Sequence, residues 1–198
     1  MSKEKIQRIE LPAIEKEQIK LRVVGTAPLI CHAWSDKAKQ MMLDKQTKRA
    51  SKGREAKNPE QCYRDSLYHM PDGDGYGFPA VAFKSAAVRA AKMAGVHMTD
   101  ARCAFHVLGD LVRIDGEPRP REDMVRVGQG TADIRFRAEF PEWAVTLVIQ
   151  YNPNYFSAEQ IINLFNLAGF HCGVGEWRPS GKSSSHTFGM FEVANTEN

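Results

Sequence analysis

Two hydrophobic periods alternate along this chain, and their order restricts the fold more than any other property of the sequence. Residues 18–25 repeat every second position, with Ile19, Leu21 and Val23 set against Lys20 and Arg22, which predicts a half-buried strand ended by Gly25-Thr26-Ala27-Pro28. Residues 82–93 repeat at about 100° per residue instead. There Phe83, Ala86, Ala87, Ala90, Ala91 and Ala94 share one arc and Lys84, Arg89 and Lys92 the opposite one, with Gly95 placed to end the helix in a left-handed conformation. Alanines on the inward arc predict close packing against a sheet. A second strand is expected over 107–114, open to interruption at Gly109-Asp110, and 132–140 alternates weakly. The β-branched run 144–151 (AVTLVIQY) predicts a central strand buried on both faces. Ser157 and Gln160 then form a capping box before Ile161, Leu164, Phe165 and Ala168, and Gly169 closes that helix, ahead of a last strand over 187–193. The order β-α-β-β-α-β predicts an α+β fold with a ferredoxin-like (RRM-like) core at about 18–25, 77–114 and 132–193. A chain of 198 residues suits a single domain over 1–198, with a basic insertion at about 35–76 and a hairpin- or thumb-like insertion at about 115–131. Insertions of that length in a small unit are where binding is expected.

The formal charge of +3 conceals an uneven distribution. Between Lys37 and Lys57 eight basic residues, among them Lys45, Lys48 and Arg49, meet two acids, a local excess of +6. A basic segment on a mildly acidic body suggests one electropositive feature suited to phosphates or an acidic protein surface. The four cysteines lie far apart without C-x-x-C spacing, so neither a disulfide framework nor a zinc site is expected, and no cofactor is called for. A charged start, Met1-Ser2-Lys3-Glu4-Lys5, and the lack of an apolar run near the ~18 residues of a membrane span point to a cytoplasmic protein with no membrane partner.

Gly175 to Ser183 superficially matches a phosphate-binding P-loop. Five residues stand before Gly181-Lys182-Ser183 where that motif needs four, and the segment follows a helix instead of a strand. What remains is a glycine- and serine-rich loop whose N–H groups, hydroxyls, Arg178 and Lys182 can cradle phosphates, or which is a plain connection. Trp34 and Trp177, beside basic or glycine-rich stretches, are placed to stack on unpaired bases, unless they simply pack. A His near a Lys or Ser can cleave RNA through its 2′-OH, which makes His32 and His186 the candidates for acid–base work, although neither has a motif-level partner.

Three stretches, in order, resemble the RAMP superfamily of CRISPR-associated proteins. Leu21 to Ile30 resembles its first strand and following loop, Gly77 to Arg89 the motif leading into its first helix, and Gly173 to Val193 its glycine-rich loop and last strand. The likeness is closest to the backbone subunits that coat a guide RNA. It implies an RNA-recognition-like fold, contact with RNA through Lys84, Arg89 and the loop residues Gly181, Ser183 and Gly189, and a thumb formed by 37–57 or 115–135. Some members cut target RNA with an Asp after the first strand; Asp36 stands near that place without adjacent support. The expected function is therefore non-catalytic binding of single-stranded nucleic acid, RNA preferred over DNA, by a homo-oligomer or filament, with other CRISPR effector subunits as further partners. A metal-independent endoribonuclease using a His is the alternative, as is a stand-alone or phage-encoded decoy that binds protein through the same fold.

Overall fold

The computed structural model describes residues 13–48, 56–127, 130–182 and 186–194. Its elements are β1 (Glu17–Gly25), β2 (Leu29–Cys31), α1 (Asp36–Gln46), α2 (Pro59–Asp65), β3 (Tyr68–His69), β4 (Tyr76–Pro79), α3 (Ala80–Ala91), α4 (Met98–Ala104), β5 (Phe105–Val107), β6 (Leu111–Asp115), β7 (Arg119–Val127), β8 (Thr131–Phe140), β9 (Ala144–Tyr151), α5 (Ala158–His171) and β10 (Phe191–Val193). Among the described residues the strands form two antiparallel sheets, so the fold is α+β. The larger runs β10-β1-β9-β6-β4-β3, with β5 also paired to β9, and the smaller runs β2-β8-β7. β1 pairs with β9 over eight residues from Glu17↔Tyr151 to Val24↔Ala144, placing Leu21 opposite Leu147 and Val23 opposite Val145 in the core.

The expected strand at 107–114 is broken at Gly109-Asp110 into β5 and β6, which pair with opposite ends of β9. The break has a use. α3 lacks a side-chain N-cap, and its first N–H, on Ala80, donates instead to the Asp110 carbonyl at 2.9 Å. α3 starts at Ala80, ahead of the expected 82, and becomes a 3-10 turn at Lys92–Ala94 before Gly95 (φ 78°). Ala94 is therefore exposed, contrary to its place on the inward arc. The arc Phe83, Ala86, Ala87, Ala90 and Ala91 is buried, and its small side chains let α3 lie against α5 as well as against strands.

Four expectations are corrected. β9 is central, but Thr146 is exposed and Val148 and Gln150 are half-buried, so only one face is fully covered, by the helices. Gly169 does not end its helix, since α5 continues to His171; a Cβ there would meet the Phe191 carbonyl oxygen at 1.7 Å, because β10 crosses the helix at that point. The last strand spans Phe191–Val193 alone, residues 187–190 being taken up by the loop described below. Residues 132–140, assigned to the core sheet, instead join 119–127 in a long hairpin that captures β2 as a third strand.

The basic insertion holds α1 and α2. α1 has an N-cap, with Ser35 Oγ accepting from the Ala38 N–H, but none of its side chains is buried. Met41, Met42 and Leu43 are about half exposed or more. Both sheets share one buried cluster, to which β2 and β8 contribute Leu29, Cys31, Ala138 and Phe140. Among the described residues no helix is long and apolar enough to cross a membrane.

Candidate nucleic-acid interface

After α5 the chain is pinned between two segments distant in sequence. Val174 N–H donates to the Gly189 carbonyl, Gly189 N–H to the Pro28 carbonyl and Glu176 N–H to the Ile30 carbonyl. Only glycine fits at 189, where φ is 65° and a Cβ would lie 1.8 Å from the Val174 carbonyl oxygen. Ser180 ties the far end of the loop to α5, its N–H and Oγ both donating to the Cys172 carbonyl at 3.2 and 2.9 Å. The loop thus faces α3 across a cleft of about 350 Å³, open to solvent, which also takes in His32 and Tyr68.

Two cations converge there from different elements. Arg89, on α3, donates from Nη1 to the Ser180 carbonyl at 2.7 Å, and Arg178, in the loop, donates from Nη1 to the Gly175 carbonyl at 2.8 Å. Each guanidinium fixed by one N–H keeps others for a ligand. Ser85 and Ser180 add hydroxyls to the lining. On the β2 side stands a carboxylate. Glu176 Oε1 accepts from His32 Nδ1 at 2.8 Å, and Oε2 lies 3.6 Å from Arg137 Nη2. The His32 hydrogen bond, opposed by partial burial and aided by Arg137, holds the Glu176 carboxyl below its ordinary range. Arg137 itself is 2% exposed, and its Nε and Nη1 have no hydrogen-bond partner. Burial lowers its pKa despite Glu176.

The sequence-derived candidates divide between this cleft and other surfaces. Arg89 and Arg178 line it. Lys84 does not: its Nζ lies 3.0 Å from His106 Nδ1, on the side of α3 that meets β5. Burial lowers the pKa of both groups, and the Lys84 charge lowers that of His106 further. Lys92 is exposed beyond the end of α3, Lys45 in the last turn of α1, Lys48 just after it, and Lys182 past Gly181, whose N–H donates to the Arg178 carbonyl. Arg49 and Ser183 lie outside the described residues. Trp34 is 59% exposed, away from the cleft lining. Trp177, at φ 55°, is enclosed: the Arg121 and Arg137 guanidinium carbons lie 5.6 and 5.4 Å from its ring centre, and His186 stacks on it at 5.0 Å. Of the acid–base candidates, His32 is committed to Glu176, His186 to Trp177, and Asp36, 97% exposed, to Lys39. Among the described residues no three His, Cys, Asp or Glu side chains gather as a metal site. Ser85, Ser180, Glu176 and Arg137 were not singled out by sequence, whereas Tyr68, an aromatic residue beside a glycine-rich stretch, was a stacking candidate that does line the cleft. Glu176 stood inside the glycine-rich segment, while nothing local marks Arg137.

The geometry defines an α+β protein with a mixed-charge cleft between a helix and a glycine-containing loop. No protein-family model matches the chain, and no curated protein sequence matches it. Among solved structures it is similar to a chain in the cryo-electron microscopy structure of the Type III-B Cmr-beta complex bound to cognate target RNA, at 11% identity and a TM-score of 0.46. The match covers 89% of this chain and 59% of that one, less than two thirds of the neighbour's length.

Proposed function

We propose that this protein binds single-stranded nucleic acid, RNA in preference to DNA, without cleaving it, and that copies assemble side by side along the strand in the manner of a RAMP-type backbone subunit. The observation that carries the reading is the convergence of Arg89 and Arg178 on a cleft lined by hydroxyls. Phosphates pass such a site without base pairing, and cations anchored by backbone carbonyls meet them at little cost in side-chain entropy. The strand order β10-β1-β9-β6/β5, with α3 and α5 in the two crossovers, supports a ferredoxin-like core. The exposed basic helix α1 suits a thumb, and the sequence resemblance supports work beside other CRISPR effector subunits. Fluorescence anisotropy with a labelled single strand across a salt series tests the reading. Each phosphate contact contributes about 0.7 to the log–log slope, so Arg89→Ala with Arg178→Ala flattens it by about 1.4, whereas Lys84→Ala leaves the cleft's share intact. Binding that is absent at low salt, or a protein monomeric with and without RNA, refutes it.

A metal-independent endoribonuclease is the second reading, favoured by the Lys84–His106 pair. An ammonium beside a neutral imidazole can supply both charge stabilisation and a general base for attack by a 2′-OH. Cleavage of labelled RNA in EDTA, lost in His106→Ala, is its test; intact RNA under those conditions excludes it.

A further inference from the structure

Resting on the binding reading above, we propose that the cleft selects an unpaired guanine base and that Glu176 is the residue that reads it. A site for phosphate alone has no use for a carboxylate, which repels it, yet Glu176 lines the same cleft as Arg89 and Arg178. The charges are placed apart by the anchoring of the loop. Glu176 is fixed on the β2 side through its N–H to Ile30 and its Oε1 to His32, and Ser180, which accepts from Arg89, is fixed on the α5 side through Cys172. One wall therefore carries the Glu176 acceptor and the other the Arg89 cation, while Arg178 is held in the loop at the Gly175 carbonyl.

A carboxylate has about four acceptor positions, of which His32 occupies one, and the two oxygens together present a two-pronged acceptor. Guanine answers it with adjacent N1–H and N2–H donors on its Watson–Crick edge. Adenine and cytosine place a ring-nitrogen lone pair beside their amino group, and uracil flanks its single N–H with two carbonyls, so each puts acceptor against acceptor. Tyr68, half-buried in the same lining, supplies an aromatic ring against which a base can pack. A volume of about 350 Å³ lies at the small end of the range for ligand pockets and suits one nucleotide, not a duplex. With the base on Glu176, the attached phosphate falls to Arg89 and Arg178. Arg137 and His32 are positioning residues, one behind each carboxylate oxygen.

The test is fluorescence anisotropy with a short labelled oligouridylate carrying one central guanine, adenine, cytosine or inosine. Wild type is expected to bind the guanine probe at least about fivefold tighter than the adenine and cytosine probes, with inosine, which lacks the 2-amino group, in between. Glu176→Gln, whose carboxamide pairs one donor with one acceptor, shifts the preference from guanine to adenine. Equal wild-type affinities for guanine, adenine and inosine, with the salt dependence intact, overturn guanine selection and leave strand binding standing. The inosine comparison needs no variant, so it decides even if Glu176→Gln fails to fold. If no oligonucleotide binds, GMP titrated against AMP and followed through the His32 ring signals separates the two ideas. A GMP-specific shift sustains the pocket while strand binding falls, and no shift overturns the pocket as well.

Discussion

Glu176 is held by two residues remote in sequence, His32 and Arg137, and that arrangement dictates how the protein responds to acid. Its folded pKa lies below the ordinary carboxylate value, so the unfolded chain takes up the proton first. The stabilisation is complete above the ordinary carboxylate range and is lost as pH falls through the folded value. His106 acts in a higher window. Burial and the Lys84 charge depress it below the ordinary imidazole value of 6.5, so just under that value the unfolded state binds more protons and stability also falls with pH. Urea midpoints measured against pH should therefore decline in two stages on acidification, His106→Gln removing the upper stage and Glu176→Gln the lower. Arg137 gives an asymmetric pair of variants. Arg137→Met replaces a buried cation whose Nε and Nη1 are unpaired, and is expected to be neutral or stabilising by about 1 kcal/mol. Glu176→Ala leaves that cation without its nearest carboxylate and is expected to cost about 2–3 kcal/mol. Denaturant titration of both variants checks the order; equal losses would contradict it.

At the level of elements, helices that both begin on a serine N-cap carry different structural weight. α5 meets β10 so closely at Gly169 that Gly169→Ala forces the two apart, and a loss of about 3 kcal/mol or failure to fold is expected, despite alanine's better helix propensity. α1 buries nothing. Replacing Met41, Met42 and Leu43 together by serine should change the unfolding free energy from urea titration by no more than about 0.5 kcal/mol, and amides of 36–46 should exchange well before those of α3 and α5 in hydrogen-exchange measurements. The start of α5 was readable from Ser157 with Gln160, because capping is satisfied within one turn; Ser35 caps α1 in the same local way, but the basic insertion around it had no helix assigned from sequence. The helix ends were less legible. Gly169 has the composition of a C-cap, and only the crossing of β10 explains why a glycine stands there inside the helix. The hairpin of β7 and β8 was hard to separate from the core for a related reason: alternation marks a strand but not the sheet that accepts it.

At the scale of the whole molecule, the two sheets are joined through side chains and, among the described residues, not through strand pairing. Leu29, Cys31, Ala138 and Phe140 of the small sheet lie in the same buried cluster as Phe83, Leu147 and Phe165. Unfolding should accordingly be a single cooperative transition, with far-UV circular dichroism and tryptophan fluorescence coincident, since Trp143 reports on the shared core and Trp177 on the loop and hairpin. Separate midpoints would mean that the small sheet melts independently. The sequence by itself determined the alternation of strands and helices, the alanine face of α3, the capping box of α5 and the segregation of positive charge into one insertion. Each depends on neighbours a few positions apart, where backbone geometry makes the pattern periodic. Only the tertiary structure decided that Arg89 and Arg178 share a cleft while Lys84 turns to His106, and that His32 and Arg137 hold Glu176. Pairs such as His32 and Glu176, 144 positions apart, meet through strand register and loop anchoring, and no local spacing encodes those contacts.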